Sequence, residues 1–215
     1  MVHFTLFGIP VYIRPSFWVV LAIFGGALSI SSVEDLIYPA LFVIAGFVAI
    51  LSHEMGHALV GRKLGGGQQT IVLELFGGLT SSHGMQLTRG GRALMILAGP
   101  MMTLLLGIIS LWLTWNIVAP VMTSYNLNFW DLAISPFTAA LISPKLYILS
   151  CLIMIGEWWT ILNLLPIYPL DGGQLIAQYI RSPRKVFMTG FITAILIGLL
   201  SFQLFHGCLL YTSPS

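Results

Sequence analysis

The amino-acid sequence predicts an all-α polytopic membrane protein of about five to six transmembrane helices, with small membrane-associated β-strands near the N-terminus and between the second and third spans. Three observations carry this reading. Of 215 residues, 57% are apolar and only 7% charged, with a mean hydropathy of +0.94, whereas a soluble domain carries about a quarter charged residues. Five stretches meet or approach the roughly 20 apolar residues that a helix needs to cross a hydrocarbon core about 30 Å thick. Two further stretches alternate as strands do. Nine basic and seven acidic residues cannot clothe a particle of this size in water, which excludes a soluble enzyme and a disordered chain. The net charge of +2 is too small for polyanion binding, so the expected surroundings are a lipid bilayer and no nucleic acid.

Taken in order, His3 to Ile13 is strand-like and broken by Gly8 and Pro10. The first span covers 16–30. Ala27-Leu28-Ser29 resembles a signal-peptidase site, but no basic residue precedes Arg14, so the usual basic start of a signal peptide is missing. The second span covers 37–60. The stretch from Gly65 to Arg92 is rich in Gly, Ser and Thr, and its β-branched run Thr70-Ile71-Val72-Leu73-Glu74-Leu75-Phe76 ends at Gly77-Gly78, which predicts a strand and a turn. Non-helical backbone at membrane depth is tolerated only when buried in protein or lining a wet cavity. The two strand pieces are therefore expected to pair with each other.

The remaining spans cover 93–119, 146–165 and 186–205, and the polar stop from Cys208 to Ser215 leaves a sixth span open. Residues 1–215 read as one domain, and two cysteines, Cys151 and Cys208, make no disulfide framework. With loops alternating sides, eight of the nine basic residues share one side, leaving only Lys145 opposite. The positive-inside rule makes that side cytoplasmic.

Near the cytoplasmic end of the second span stands His53-Glu54-Met55-Gly56-His57. At about 100° per residue, the two histidines fall on one helical face, where both imidazoles can reach one Zn²⁺. Glu54 beside them is suited to take a proton from an attacking water. The residues that remain for a third ligand are Asp171, His83, Glu157, Glu74 and Asp131, the last on the far side of the membrane. Asp171 closes the run Asn163-Leu164-Leu165-Pro166-Ile167-Tyr168-Pro169-Leu170-Asp171-Gly172-Gly173. There Pro166 and Pro169 should break the fourth span. Gly172 and Gly173 should let irregular backbone turn closely around the carboxylate, at the depth of the histidines.

His53-Glu54-x-x-His57 joined to Asn163-x-x-Pro166-x-x-Pro169-Leu170-Asp171-Gly172 resembles the site-2 protease family of intramembrane zinc metalloproteases. Phe7-Gly8-Ile9-Pro10-Val11 with Arg14-Pro15-Ser16, Phe76-Gly77-Gly78 and Gly99-Pro100 are similar to further stretches of that family. Many relatives carry Asn where this chain has Thr103. The likeness is to the compact form, without PDZ or CBS modules.

The resemblance implies one Zn²⁺ per chain held by His53, His57 and Asp171, with Glu54 accepting a proton and returning it to the leaving amine. It implies cleavage of single-span membrane proteins, such as membrane-tethered transcription regulators or anti-sigma factors, in the cell inner (plasma) membrane near its cytoplasmic side. Asn163 is the candidate donor to the oxyanion, against a plain inter-helix hydrogen bond. An unwound substrate segment is expected to add to the strand around Ile71 to Leu75. Glu157 reads as a carboxylate neutralised against other spans, with water access as its competing role; His83 reads as a loop residue. Trp112, Trp115, Trp158 and Trp159 read as interfacial or packing aromatics. The competing functions are a metal-binding transporter or channel, which would spread polar residues along the spans, and a pseudo-protease that only binds partners, against which the intact Glu54 speaks.

Overall fold

The computed structural model describes residues 1–75, 77–84, 86–125, 133, 135–180 and 182–211, without the side chains of 34, 119–125 and 203–211. Phe76, Asp131 and Arg181 lie outside the described residues, as does the side chain of Cys208. The chain divides into two compact units, Met1–Thr160 and Ile161–Ser215. Among the described residues, four helices are long and apolar enough to cross a membrane. The protein is a multi-pass membrane protein.

The first unit opens with a hairpin, β1 (Val2–Leu6) and β2 (Ile9–Ile13), turned by Phe7 and Gly8 at φ 49° and 76°. Helix α1 follows (Pro15–Phe24). It is shorter than the span expected over 16–30: Gly25 and Gly26 end it, the latter at φ 87°. A single 3-10 turn, Ala27–Ser29, follows. Ten residues rise only about 15 Å. Helix α2 (Ile37–Gly65) is nearly three times as long and leads into β3 (Gln68–Glu74) and β4 (Gly77–His83). Helix α3 (Arg89–Tyr125), the short α4 (Pro136–Ala140) and α5 (Pro144–Leu164) follow, the last turn of α5 opening the second unit.

The two strand pieces pair as expected. The sheet order is β1-β2-β3-β4, with Val11 opposite Ile71 and Ile13 opposite Leu73 in a parallel ladder. A parallel pair needs a crossover, and α1 with α2 supplies it. Ile9, Val11, Ile13, Ile71 and Leu73 point from one face of the sheet into a core shared with Phe17, Leu21, Ile50, Leu51, Met55 and Ala58. Each large side chain buried there contributes about 1.5–3 kcal/mol, which pins the sheet on α2.

One expectation is corrected. β3 lies between β2 and β4, so the strand around Ile71 to Leu75 has both edges filled and cannot take up another strand. The edge on this side of the sheet is β4. Because Arg14 N–H donates to the Leu73 carbonyl at 2.9 Å, the odd-numbered residues of β3 bond to β2 and the even-numbered ones to β4. Through the pairing of Val72 with Leu79 and of Glu74 with Gly77, the backbone groups of Gly78, Thr80 and Ser82 are left pointing to the outer edge.

In the second unit, α5 ends at Leu164, just ahead of Pro166, and α6 (Asp171–Tyr179) and α7 (Pro183–Tyr211) follow. Tyr168 stacks edge-on against Phe187 of α7, ring centroids 6.2 Å apart.

Candidate metal centre

Helical spacing brings His53 and His57 onto one face of α2, and their Nε2 atoms stand 3.1 Å apart. His57 Nδ1–H donates to the Met95 carbonyl of α3 at 2.9 Å. That bond fixes the tautomer and turns the Nε2 lone pair toward His53. Both rings are buried, as is Glu54. The edge of the His53 ring meets Trp159 of α5 at a centroid distance of 6.5 Å and 86°.

The two nitrogens fit a divalent metal. Tetrahedral ligands at 2.0–2.1 Å from zinc stand about 3.3 Å from each other, close to the observed separation. The space between them exists because residue 99 has no side chain. A Cβ on Gly99 would lie 2.2 Å from His57 Nε2 and 2.9 Å from His53 Nε2. Gly56 makes the approach of α3 to this face equally close: a Cβ there would lie 2.3 Å from the Ala98 carbonyl oxygen.

Glu54 is held from the side of the sheet. Thr80 Oγ1–H donates to its Oε2 at 2.7 Å and lies 3.2 Å from its carbonyl oxygen. A Cβ on Gly78 would fall 2.2 Å from Glu54 Cγ, so β4 lies flat on this side chain. Thr80 and Gly78 hold one carboxylate oxygen and the stem, which orients the other oxygen. Thr80 and Met95 escape sequence reasoning because nothing local marks them, and Gly78, marked there only as part of a turn and of a family-like stretch, gains its place against Glu54 from the approach of β4 to α2.

Helix α3 is tied to α5 by buried hydroxyls. Thr103 Oγ1 lies 2.8 Å from Thr160 Oγ1 and donates to the Pro100 carbonyl at 2.9 Å. Thr103 thus makes the polar contact that its departure from the family-like pattern had put in question. Of the alternative ligands, Glu74 pairs with Arg14 at 2.9 Å. His83 is exposed at the far end of β4, opposite Gln68, and Glu157 is exposed on α5.

In the second unit Asp171 is buried and opens α6. The irregular backbone expected at this point is therefore a helix start, where a carboxylate complements the helix dipole. Gly172 and Gly173 serve close approach rather than turning. A Cβ on Gly172 would lie 2.1 Å from the Leu164 carbonyl oxygen, and one on Gly173 would lie 2.4 Å from Tyr168 N. Asn163 is half-buried in the last turn of α5.

Membrane-length helices carrying a buried HExxH face, its glutamate clamped by a small sheet, define the class of membrane-embedded metallopeptidase folds. A family model narrows this: the chain belongs to peptidase family M50, whose model matches residues 41–205. It is 28% identical over 212 residues to a zinc metalloprotease of Methanocaldococcus jannaschii, covering 94% of this chain and 54% of that one. A second relative, from Synechocystis, is 28% identical over 188 residues, which is 82% of this chain and 43% of its own. The chain thus spans about half the length of the curated relatives it matches. In fold it is similar to the solved site-2 protease from Methanocaldococcus jannaschii, with a TM-score of 0.57 at 24% identity, covering 98% of this chain and 86% of that one.

Proposed function

We propose that this chain is a zinc endopeptidase that hydrolyses peptide bonds in or near the transmembrane segments of single-span membrane proteins. The observation that supports it above others is the placing of Glu54 beside two imidazole nitrogens whose shared space only Gly99 leaves open. Zinc is the metal for which the Methanocaldococcus relative is named. His53, His57 and Asp171 would hold it, and when bound it supplies Lewis-acid activation of water and of the substrate carbonyl.

The chain's own groups do the rest. Glu54 takes a proton from the attacking water through the carboxylate oxygen that Thr80 leaves unclaimed, and delivers it to the leaving amine nitrogen. The Asn163 side-chain amide donates to the charge that develops on the scissile carbonyl oxygen. A transmembrane helix has its carbonyls satisfied internally, so the substrate must unwind before attack. The outward backbone groups of Gly78, Thr80 and Ser82 offer the unwound segment a ladder to join, directly beside Glu54. The clustering of basic residues supports a position for this site near the cytoplasmic side of the inner (plasma) membrane. Membrane-tethered transcription regulators and anti-sigma factors are the substrate class that the family resemblance favours.

The test is co-expression with a single-span substrate and comparison of the wild type with Glu54→Gln. Loss of cleavage with zinc content unchanged is the expected result. Equal processing by both proteins removes Glu54 from its role and overturns the reading.

A further inference from the structure

A cavity of about 200 Å³ lies within the first unit, walled by Phe17, Val20 and Phe24 of α1, Ile50 of α2, Gly77 of β4 and Trp159 of α5. Its lining carries no charged side chain. A dry apolar cavity of roughly 150 Å³ accommodates a benzene ring, so this one has room for a large aliphatic or aromatic group. Two of its walls are shared with the metal centre. Trp159 stands between the cavity and the His53 ring. Gly77 precedes Gly78, whose backbone lies on Glu54. Gly77 is required there, since a Cβ at φ 118° would lie 2.7 Å from Trp159.

We propose, building on the peptidase reading above, that this cavity is a specificity subsite that receives one large apolar side chain of the substrate segment adjacent to the scissile bond. A strand advances about 3.3 Å per residue with alternate side chains on opposite faces. A segment joined to the β4 edge with its reacting carbonyl at Glu54 therefore carries a neighbouring side chain to the level of Gly77, which lines the cavity. Size and an uncharged lining select Leu, Met or Phe, reject Asp or Lys, and leave Ala poorly packed. Val20, half-buried on α1 and remote from the histidines in sequence, sets the depth.

The experiment uses purified zinc-loaded protein and single-span substrates carrying Ala, Leu, Phe, Trp or Asp at each residue flanking the cut. One flanking position should favour Leu or Phe over Ala by roughly 10-fold or more in kcat/KM, the range that one pocket contact gives. Val20→Phe should erase that preference while leaving the Ala substrate within about twofold of wild type, and Val20→Ala should extend it to Trp. A flat profile, or a Val20→Phe effect equal for all substrates, overturns the assignment; a cavity filled by a lipid chain gives that result. A parallel measurement needs no turnover: zinc-loaded Glu54→Gln should bind a benzyl-bearing peptide hydroxamate about 10-fold tighter than its methyl analogue, with the difference cancelled by Val20→Phe. Hydroxamate preference without cleavage of any substrate by wild type sinks the peptidase reading and keeps the subsite. Cleavage without either preference keeps the peptidase and sinks the subsite.

Discussion

At the scale of single residues, the metal seat rests on a missing methyl group. Gly99→Ala places a carbon 2.2 Å from His57 Nε2, so bound zinc should fall from one per chain to a small fraction, read by metal analysis of the purified protein. Thr80→Val leaves the seat untouched but removes the hydroxyl that holds Glu54. A hydrogen bond to a charged group is worth about 1.5–3 kcal/mol, so kcat should fall roughly 10- to 100-fold with zinc content unchanged. Asn163→Ala should lower kcat by about 10²–10³, the cost of losing one oxyanion donor, again with zinc retained; an unchanged kcat returns Asn163 to a packing role. The histidines and Glu54 are legible from sequence because helical spacing alone puts them together. Thr80 is not, and Gly99 and Gly78 are legible only as parts of family-like stretches, because what they do comes from helices and strands meeting across tens of residues.

At the scale of elements, the sheet separates two kinds of proline. Ser82 directs its N–H outward from an edge strand, where proline is tolerated, while Val72 lies in a central strand whose ladder needs every donor. Ser82→Pro should therefore give folded protein with kcat/KM lowered about 10-fold if substrate joins β4, whereas Val72→Pro should fail to accumulate. Normal turnover by Ser82→Pro ends the strand-addition idea. Both strand pieces and their mutual pairing were readable from alternation and Gly-rich turns. Which strand held the edge was not, because central and edge strands share the same period. The stop of α1 was written in Gly25-Gly26, yet apolarity alone carries across those glycines to residue 30. The helix beginning at Asp171 was hidden for a related reason: two glycines after two prolines read as a loop, and only the packing of Leu164 and Tyr168 against them shows why a helix starts there.

At the scale of the whole molecule, the proposed ligand set draws His53 and His57 from the first compact unit and Asp171 from the second. If Asp171 is the third ligand, metal should slow amide exchange in α6 as well as around His53 and His57, and chelation should lower the melting temperature. A ligand present at 1,000 times its Kd stabilises by about 4 kcal/mol. Asp171→Asn should weaken zinc binding and lose the protection of residues 171–179 together. Protection confined to α2 and α3 would show that the third ligand lies elsewhere.

The parallel ladder between Val11–Ile13 and Ile71–Leu73 also bears on how the chain is made. Its two strands are separated by everything in α1 and α2, so the ribosome must release about 70 residues before the ladder can close. Closure also requires the segment after α2 to emerge on the face of the bilayer where the N-terminal hairpin waits. A chain whose second helix is inserted in the opposite orientation leaves β2 without its neighbour, so the ladder and the orientation of α2 depend on each other.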